Sequence, residues 1–140
     1  MVGRVDGKIA MVVGGGQTPG HTIGNGRATA QLLAREGATV LVADRYLESA
    51  QDTVDLIVKE GGTASACAAD IRQEDDVRAL IDACISQHGR IDILHNNVGV
   101  SVELGDAPAT DLSAESFDAI VAINLRGMWL TCKHALSQMQ

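Results

Sequence analysis

An α/β protein with a doubly wound parallel sheet follows from three features of the sequence. Short, unbroken apolar runs alternate with stretches of helical periodicity. The runs are too continuous for strands exposed on one face and suit strands covered on both. Six glycines also crowd the thirteen positions from Gly14 to Gly26, directly after the first run. With 140 residues, 46% apolar and 21% charged, the chain is a single globular domain, 1–140, and neither disordered nor collagen-like.

The first run, Ile9 to Val13, is a buried strand. Between Gly26 and Gly37 the spacing predicts a short helix carrying Ala28, Leu32 and Leu33, then a second strand from Thr39 to Ala43. Leu47, Ala50, Val54, Ile57 and Val58 form the apolar stripe of a second helix, stopped by Gly61-Gly62. Thr63 to Ala69, built of small residues, is the third strand. Val77, Leu80, Ile81, Cys84 and Ile85 mark a third helix with acids opposite, closed by Gly89. Ile91 to His95 is the fourth strand, and each crossover between parallel strands has its helix. From Val98 to Leu112 the pattern lapses into a loop. A last helix starts at Ser113, a good N-cap, with Glu115 and Asp118 near its positive end. On a helical wheel, Phe117, Ile120, Val121, Met128 and Cys132 form one stripe with Asn124 near its middle. Ile123, Trp129 and Leu130 fall outside that stripe, so this helix is apolar on more than one side.

The charge pattern excludes several classes. The net charge of −7 argues against nonspecific nucleic-acid binding. Residues 1–43 carry +2, residues 44–118 carry −11 and residues 119–140 carry +2, so the glycine cluster lies in a mildly positive stretch. No apolar run approaches the ~20 residues of a membrane span, and Met1 to Gly7 has no apolar core of a secretory signal. Cys67, Cys84 and Cys132 lack paired spacing and fit reduced thiols of a cytoplasmic protein. His21, His88, His95 and His134 offer no metal-ligand pair, and His95 reads as a core histidine bonded to backbone.

The glycine cluster is a candidate nucleotide site. Glycine there permits positive φ, lets backbone approach a diphosphate, and lets a helix pack closely on its strand. The helix N-terminus then offers unpaired N–H groups to the phosphates. The candidates are Gly14, Gly16, Gly20, Ile23, Gly24 and Gly26. Asp44 ends the second strand eighteen residues after Gly26, near the ~20 expected for an acid bonding an adenosine ribose. A carboxylate there accepts from both ribose hydroxyls and repels a 2′-phosphate, favouring NAD over NADP. Arg45 beside it suits either such a phosphate or the adenine face.

With these residues in place, the chain resembles the N-terminal half of a short-chain dehydrogenase/reductase. The resemblance rests on the glycine loop with Asp44, Asp70-Ile71 after the third strand, Asn96-Asn97-Val98-Gly99 after the fourth, and Asn124-Leu125-Arg126-Gly127 in the last helix. It implies the N-terminal part of a Rossmann fold and hydride transfer between nicotinamide and a small-molecule alcohol or carbonyl substrate. It also implies that Asp70, with Ile71, takes the adenine, and that Asn96, Asn97, Val98 and Gly99 border the adenosine and support the sheet. Asn124 matches the asparagine of an Asn-Ser-Tyr-Lys tetrad, where it holds a water of the proton relay. In relatives the last helix often packs on another subunit, so a homo-oligomer is expected of the complete protein.

The departures are equally specific. The family's loop is T-G-x-x-x-G-x-G, whereas here Val13 replaces the threonine and Gly24-Asn25-Gly26 closes the motif with nine residues intervening after Gly14, instead of three. About six residues within Gly15 to Ile23 read as an insertion, able to cover the diphosphate with Gln17, Thr18, His21 or Thr22 as donors. The register Gly20-x-x-x-Gly24-x-Gly26 keeps the spacing but starts well past the strand. The family's catalytic serine and Tyr-x-x-x-Lys have no match: the only tyrosine is Tyr46, followed four positions later by Ala50. The chain is therefore expected to be a fragment that binds dinucleotide without turning over substrate. The alternatives are a non-catalytic dinucleotide-binding module, the enoyl-reductase branch of the same superfamily, and a methyltransferase, which leaves Asn96 to Gly99 and Asn124 unexplained.

Overall fold

The strands form where the sequence is most continuously apolar. In the computed structural model, which describes residues 3–139, β1 (Ile9–Val13), β2 (Thr39–Asp44), β3 (Thr63–Ala68) and β4 (Ile93–Asn96) build one parallel sheet. The order is β3-β2-β1-β4. The first two crossovers, through α1 (Asn25–Arg35) and α2 (Leu47–Lys59), step one way from β1. The third, through α3 (Glu74–His88), returns across the sheet and lays β4 on the other side of β1. The direction of winding reverses between β1 and β4, which opens a crevice at their carboxyl ends.

Successive side chains of the strands enter opposite layers. Ala10, Val12, Val40 and Val42 pack under α1 and α2 against Ala30, Ala34, Val54 and Ile57. Met11, Val13, Leu41 and Ala43 face α3 and the last helix, against Leu80, Ile81, Cys84 and Leu130. Every strand position of β1 from Ala10 to Val13 is buried, which is why that run carries no polar residue.

Several expectations are corrected. β4 begins two residues later than Ile91, because Asp92 is spent on β1: its N–H donates to Ile9 O, its carboxylate accepts from Ile9 N at 2.8 Å, and Arg90 pairs with it. In α1 the buried face is Gly26, Ala30, Gln31 and Ala34, whereas Leu32 is exposed. Small residues win that face because they bring the helix close to the sheet. In α2 Leu47 and Val58 are exposed and Thr53 is buried instead. His95 has a buried Nε2 without a hydrogen-bond partner among the described residues, not a backbone bond.

The last helix departs most. Ser113 caps α4 (Ala114–Val121) as expected, its Oγ accepting from Ser116 N at 3.1 Å. A π-helical segment, Ala122–Gly127, then joins it to α5 (Met128–Leu136). The wider turn shifts the phase of everything downstream, so a 3.6-residue wheel fails there. Ile123, Gly127, Leu130, Thr131 and Ala135 are buried, while Phe117, the first residue of the expected stripe, is exposed. Gly127 packs on Ile71, where an added Cβ would lie 2.7 Å from its side chain.

A charged cluster ties α3 to α5. Glu74, in the first turn of α3, accepts from Lys133 Nζ at 2.8 Å and lies 2.8 Å from His134 Nε2. The Lys133 bond first, then the His134 bond, pull the Glu74 carboxyl from 4.5 to about 2. A depressed folded-state value contributes stability that is present above the unfolded value and lost as pH falls through the folded one. Glu74→Gln is therefore expected to lower the urea midpoint at neutral pH. The gap from the parent should close as pH falls from 4.5 toward 2; a gap independent of pH would dismiss the ionic account.

Candidate functional site

The crevice between β1 and β4 continues across the carboxyl end of β2 to β3 as an open cavity of ≈ 460 Å³. Its floor is main chain. At Gly14 the backbone takes φ +83°, a conformation that favours glycine, and its N–H donates to Ala43 O at 2.8 Å. The chain thereby turns directly off β1 over the end of β2. The helix that follows comes so close that a Cβ on Gly26 would lie 1.9 Å from Gly14 O. Gly14, Gly16, Gly24 and Gly26 all border the cavity, and Gly20 and Ile23 do not. Both are exposed at the outer side of the loop.

Asn97 fastens the floor from the other strand. Its N–H donates to Val13 O at 2.9 Å and its Nδ2 to Gly14 O at 3.0 Å, so one side chain joins the ends of β1 and β4. Val98 and Gly99 continue the wall beside it. Asn96 points elsewhere: it accepts from Thr131 Oγ1 at 2.8 Å and fastens β4 to α5.

Two acidic corners close the far end. Asp44 Oδ2 accepts from Gly16 N and Oδ1 from Tyr46 N, both at 3.1 Å. An ionised carboxylate has about four lone-pair sites, so each oxygen keeps acceptor capacity. Arg45 lies over the Tyr46 ring, 4.7 Å from its centroid. At the second corner Asp70, Ile71 and Arg72 line the cavity. The Arg72 guanidinium grips the Asp70 carboxylate through Nε at 2.9 Å and through Nη2, and holds its carboxyl below the ordinary carboxylate range. Arg126, from the π-helical segment, donates to Arg72 O at 2.9 Å.

Asn124 does not line the cavity. Its Oδ1 accepts from Val100 N at 2.9 Å and its Nδ2 donates to Val100 O at 2.7 Å. Both ends of the amide are spent on one backbone unit, and Val100 borders the cavity beside Ile123. The sequence marked Asn124 as a buried amide needing partners; the structure supplies them from the loop after β4.

The loop from Gln17 to Ile23 is ordered by bonds the sequence did not announce. Gln17 N donates to Ser49 Oγ at 2.7 Å, and buried Thr53 donates to Gly15 O at 2.7 Å. Arg27 Nε donates to Thr53 Oγ1 at 2.9 Å, adding α1 to the knot. Only Thr53 left a signal, a polar residue at a core-facing position beside Val54. Gln17, Thr18 and Pro19 border the cavity, while His21 and Thr22 lie outside it. The Gln17 amide hydrogens go to Thr18 O and Thr22 O, so they are not free donors toward the cavity.

Neither Cys67 nor Cys84 borders the cavity. Burial pushes the Cys67 thiol up, and that of Cys84 up to about 11, away from the reactive thiolate. No cluster of three or more His, Cys, Asp or Glu side chains that could hold a metal occurs among the described residues. None of their helices is long and apolar enough to cross a membrane.

Comparison with known proteins agrees with this geometry. The family model described as short chain dehydrogenase matches residues 8–140. An uncharacterized oxidoreductase of Bacillus subtilis is 36% identical over 138 residues, 99% of this chain and 48% of its own length. Cyclohexanol dehydrogenase of an Acinetobacter strain is 34% identical, over 92% of this chain and 48% of its own. Among solved structures, hydroxysteroid dehydrogenase from Escherichia coli superposes with a TM-score of 0.84 at 34% identity, over 97% of this chain and 54% of that one. The chain spans about half the length of the curated relatives it matches.

Proposed function

The chain belongs to the short-chain dehydrogenase family, and on that premise we propose that it supplies the NAD-binding part of an oxidoreductase acting on a small alcohol or carbonyl compound. The observation that carries the reading is the backbone cradle of Gly14 and Gly26, where an added Cβ would meet Val98 at 2.9 Å or Gly14 O at 1.9 Å. Side-chain-free main chain beside a helix N-terminus fits a diphosphate. Asp44 fits the neighbouring ribose, with Arg45 on the adenine face, and Asp70 with Ile71, both bordering the cavity, fits the base. Gly16, Asn97, Val98 and Gly99 complete the nucleotide's walls.

The bound nicotinamide would supply hydride acceptance and donation. The residues of this chain bind and orient it. Asn124, by clamping Val100, fixes the wall beside the reacting end and acts here as a positioning residue. The carboxylate of Asp44 disfavours a 2′-phosphate, hence NAD over NADP. Cyclohexanol dehydrogenase among the relatives supports an alcohol or carbonyl substrate. The one tyrosine, Tyr46, has no lysine four residues on, which supports reading these 140 residues as a cofactor-binding unit that does not turn over substrate. Phe117, Leu125 and Trp129, each more than half exposed along α4, the π-helical segment and α5, support self-association of the protein.

The test is calorimetric titration of the purified chain. It should bind NAD more tightly than NADP and form no NADH with cyclic or linear alcohols. Absence of binding, tighter NADP, or steady turnover would overturn the reading.

A further inference from the structure

Among the cavities, side-chain clusters and exposed faces of the molecule, the loop between Gly16 and Gly24 holds one side chain that accounts for its shape. Gln17 Nε2 donates to Thr18 O at 2.7 Å and to Thr22 O at 2.9 Å, and its Oε1 accepts from Gly24 N at 2.9 Å. One carboxamide thus bridges three backbone groups across the extra residues. The main chain of Gln17 is itself anchored: Ser49 Oγ accepts from its N–H and donates to its C=O at 3.3 Å. The side chain therefore works from a fixed base. Gly24 is the N-cap of α1, and the first four N–H groups of a helix have no partner within it. Gln17 takes the first of these four and leaves those of Asn25, Gly26 and Arg27, two of whose residues border the cavity.

We propose that Gln17 is the positioning residue of the diphosphate subsite, closing the enlarged loop so that Thr18 and Pro19 stand as a fixed rim beside the open N–H groups of α1. This rests on the nucleotide-binding reading above and adds to it the residue that makes a nine-residue span behave as a tight turn. Without the carboxamide, residues 18–22 would have to be ordered by the ligand, and the ordering entropy would be charged against binding.

The experiment uses the 140-residue chain and two variants. Gln17→Ala removes all three bonds. Gln17→Glu keeps an acceptor for Gly24 N and loses the donors to Thr18 O and Thr22 O. Hydrogen exchange at the Gly24 amide, read without ligand, should be slow in the parent and in Gln17→Glu and fast in Gln17→Ala. Titration with ADP and with AMP should show Gln17→Ala about tenfold weaker for ADP and within about twofold for AMP. Thermal midpoints should stay together, because the loop lies outside both core layers. Equal Gly24 exchange in the parent and Gln17→Ala would overturn the closure. Equal losses for ADP and AMP, or no loss for ADP, would overturn the diphosphate role. Failure of the parent to bind either nucleotide while the exchange contrast is present would instead overturn the nucleotide-binding reading.

Discussion

Gly26→Ala is expected to destabilise the chain by about 1–3 kcal/mol and to abolish measurable NAD binding. The cause is a single contact. A Cβ at this position would sit 1.9 Å from Gly14 O and 2.7 Å from Asn97 Nδ2. Neither atom can yield by a side-chain rotation alone, since Gly14 O belongs to the turn and Asn97 Nδ2 is bonded to it. The helix must withdraw from β1, taking its first-turn N–H groups with it. Helix propensity acts in the opposite direction, because alanine is favoured over glycine by about 1 kcal/mol inside a helix. A net loss in urea unfolding would therefore report the contact. Gly20→Ala is the control, since nothing lies within 4 Å of its Cβ position. A Gly26→Ala chain as stable as its parent and equally able to bind NAD would refute the close-approach account.

Asp44→Ala should weaken NAD binding by about 10- to 100-fold and shift the preference toward NADP. Hydrogen bonds to a charged group contribute roughly 1.5–3 kcal/mol, and 1.4 kcal/mol is a factor of ten. The carboxylate also fixes Gly16 N and Tyr46 N, so part of the loss would come through the loop. The change in preference separates the two effects. Loop disorder weakens both nucleotides together, whereas removal of the negative charge relieves only the one that carries a 2′-phosphate, with Arg45 next to it. Paired titrations with NAD and NADP measure the ratio; an unchanged ratio would remove Asp44 from the ribose site.

Much of the scaffold was readable in one dimension because its causes are local. Strands buried on both faces must be continuously apolar, and Ile9–Val13 shows that without reference to any neighbour. The stops at Gly61 and Gly89 are equally local, since both take positive φ just past a helix. The acid at the end of β2 and the glycines after β1 were visible as a spacing, and the cavity brings them together.

Other features depend on what lies across the fold. Whether Leu32 or Ala30 faces the sheet depends on how near α1 comes to β1, which the Gly26–Gly14 contact decides. The π turn at Ala122–Gly127 has no composition signal, and it sets the phase of the helix after it, where Leu130, Thr131 and Ala135 are buried.

Order and type of the elements from β1 to β4, the glycine turn and the acid at its rim were settled by the amino-acid sequence, because periodicity and backbone sterics act within a few residues. The partners of Gln17, Thr53 and Asn124 were decided only in three dimensions. A buried polar group must be satisfied, and which of many distant carbonyls and N–H groups satisfies it depends on the folded path of the chain.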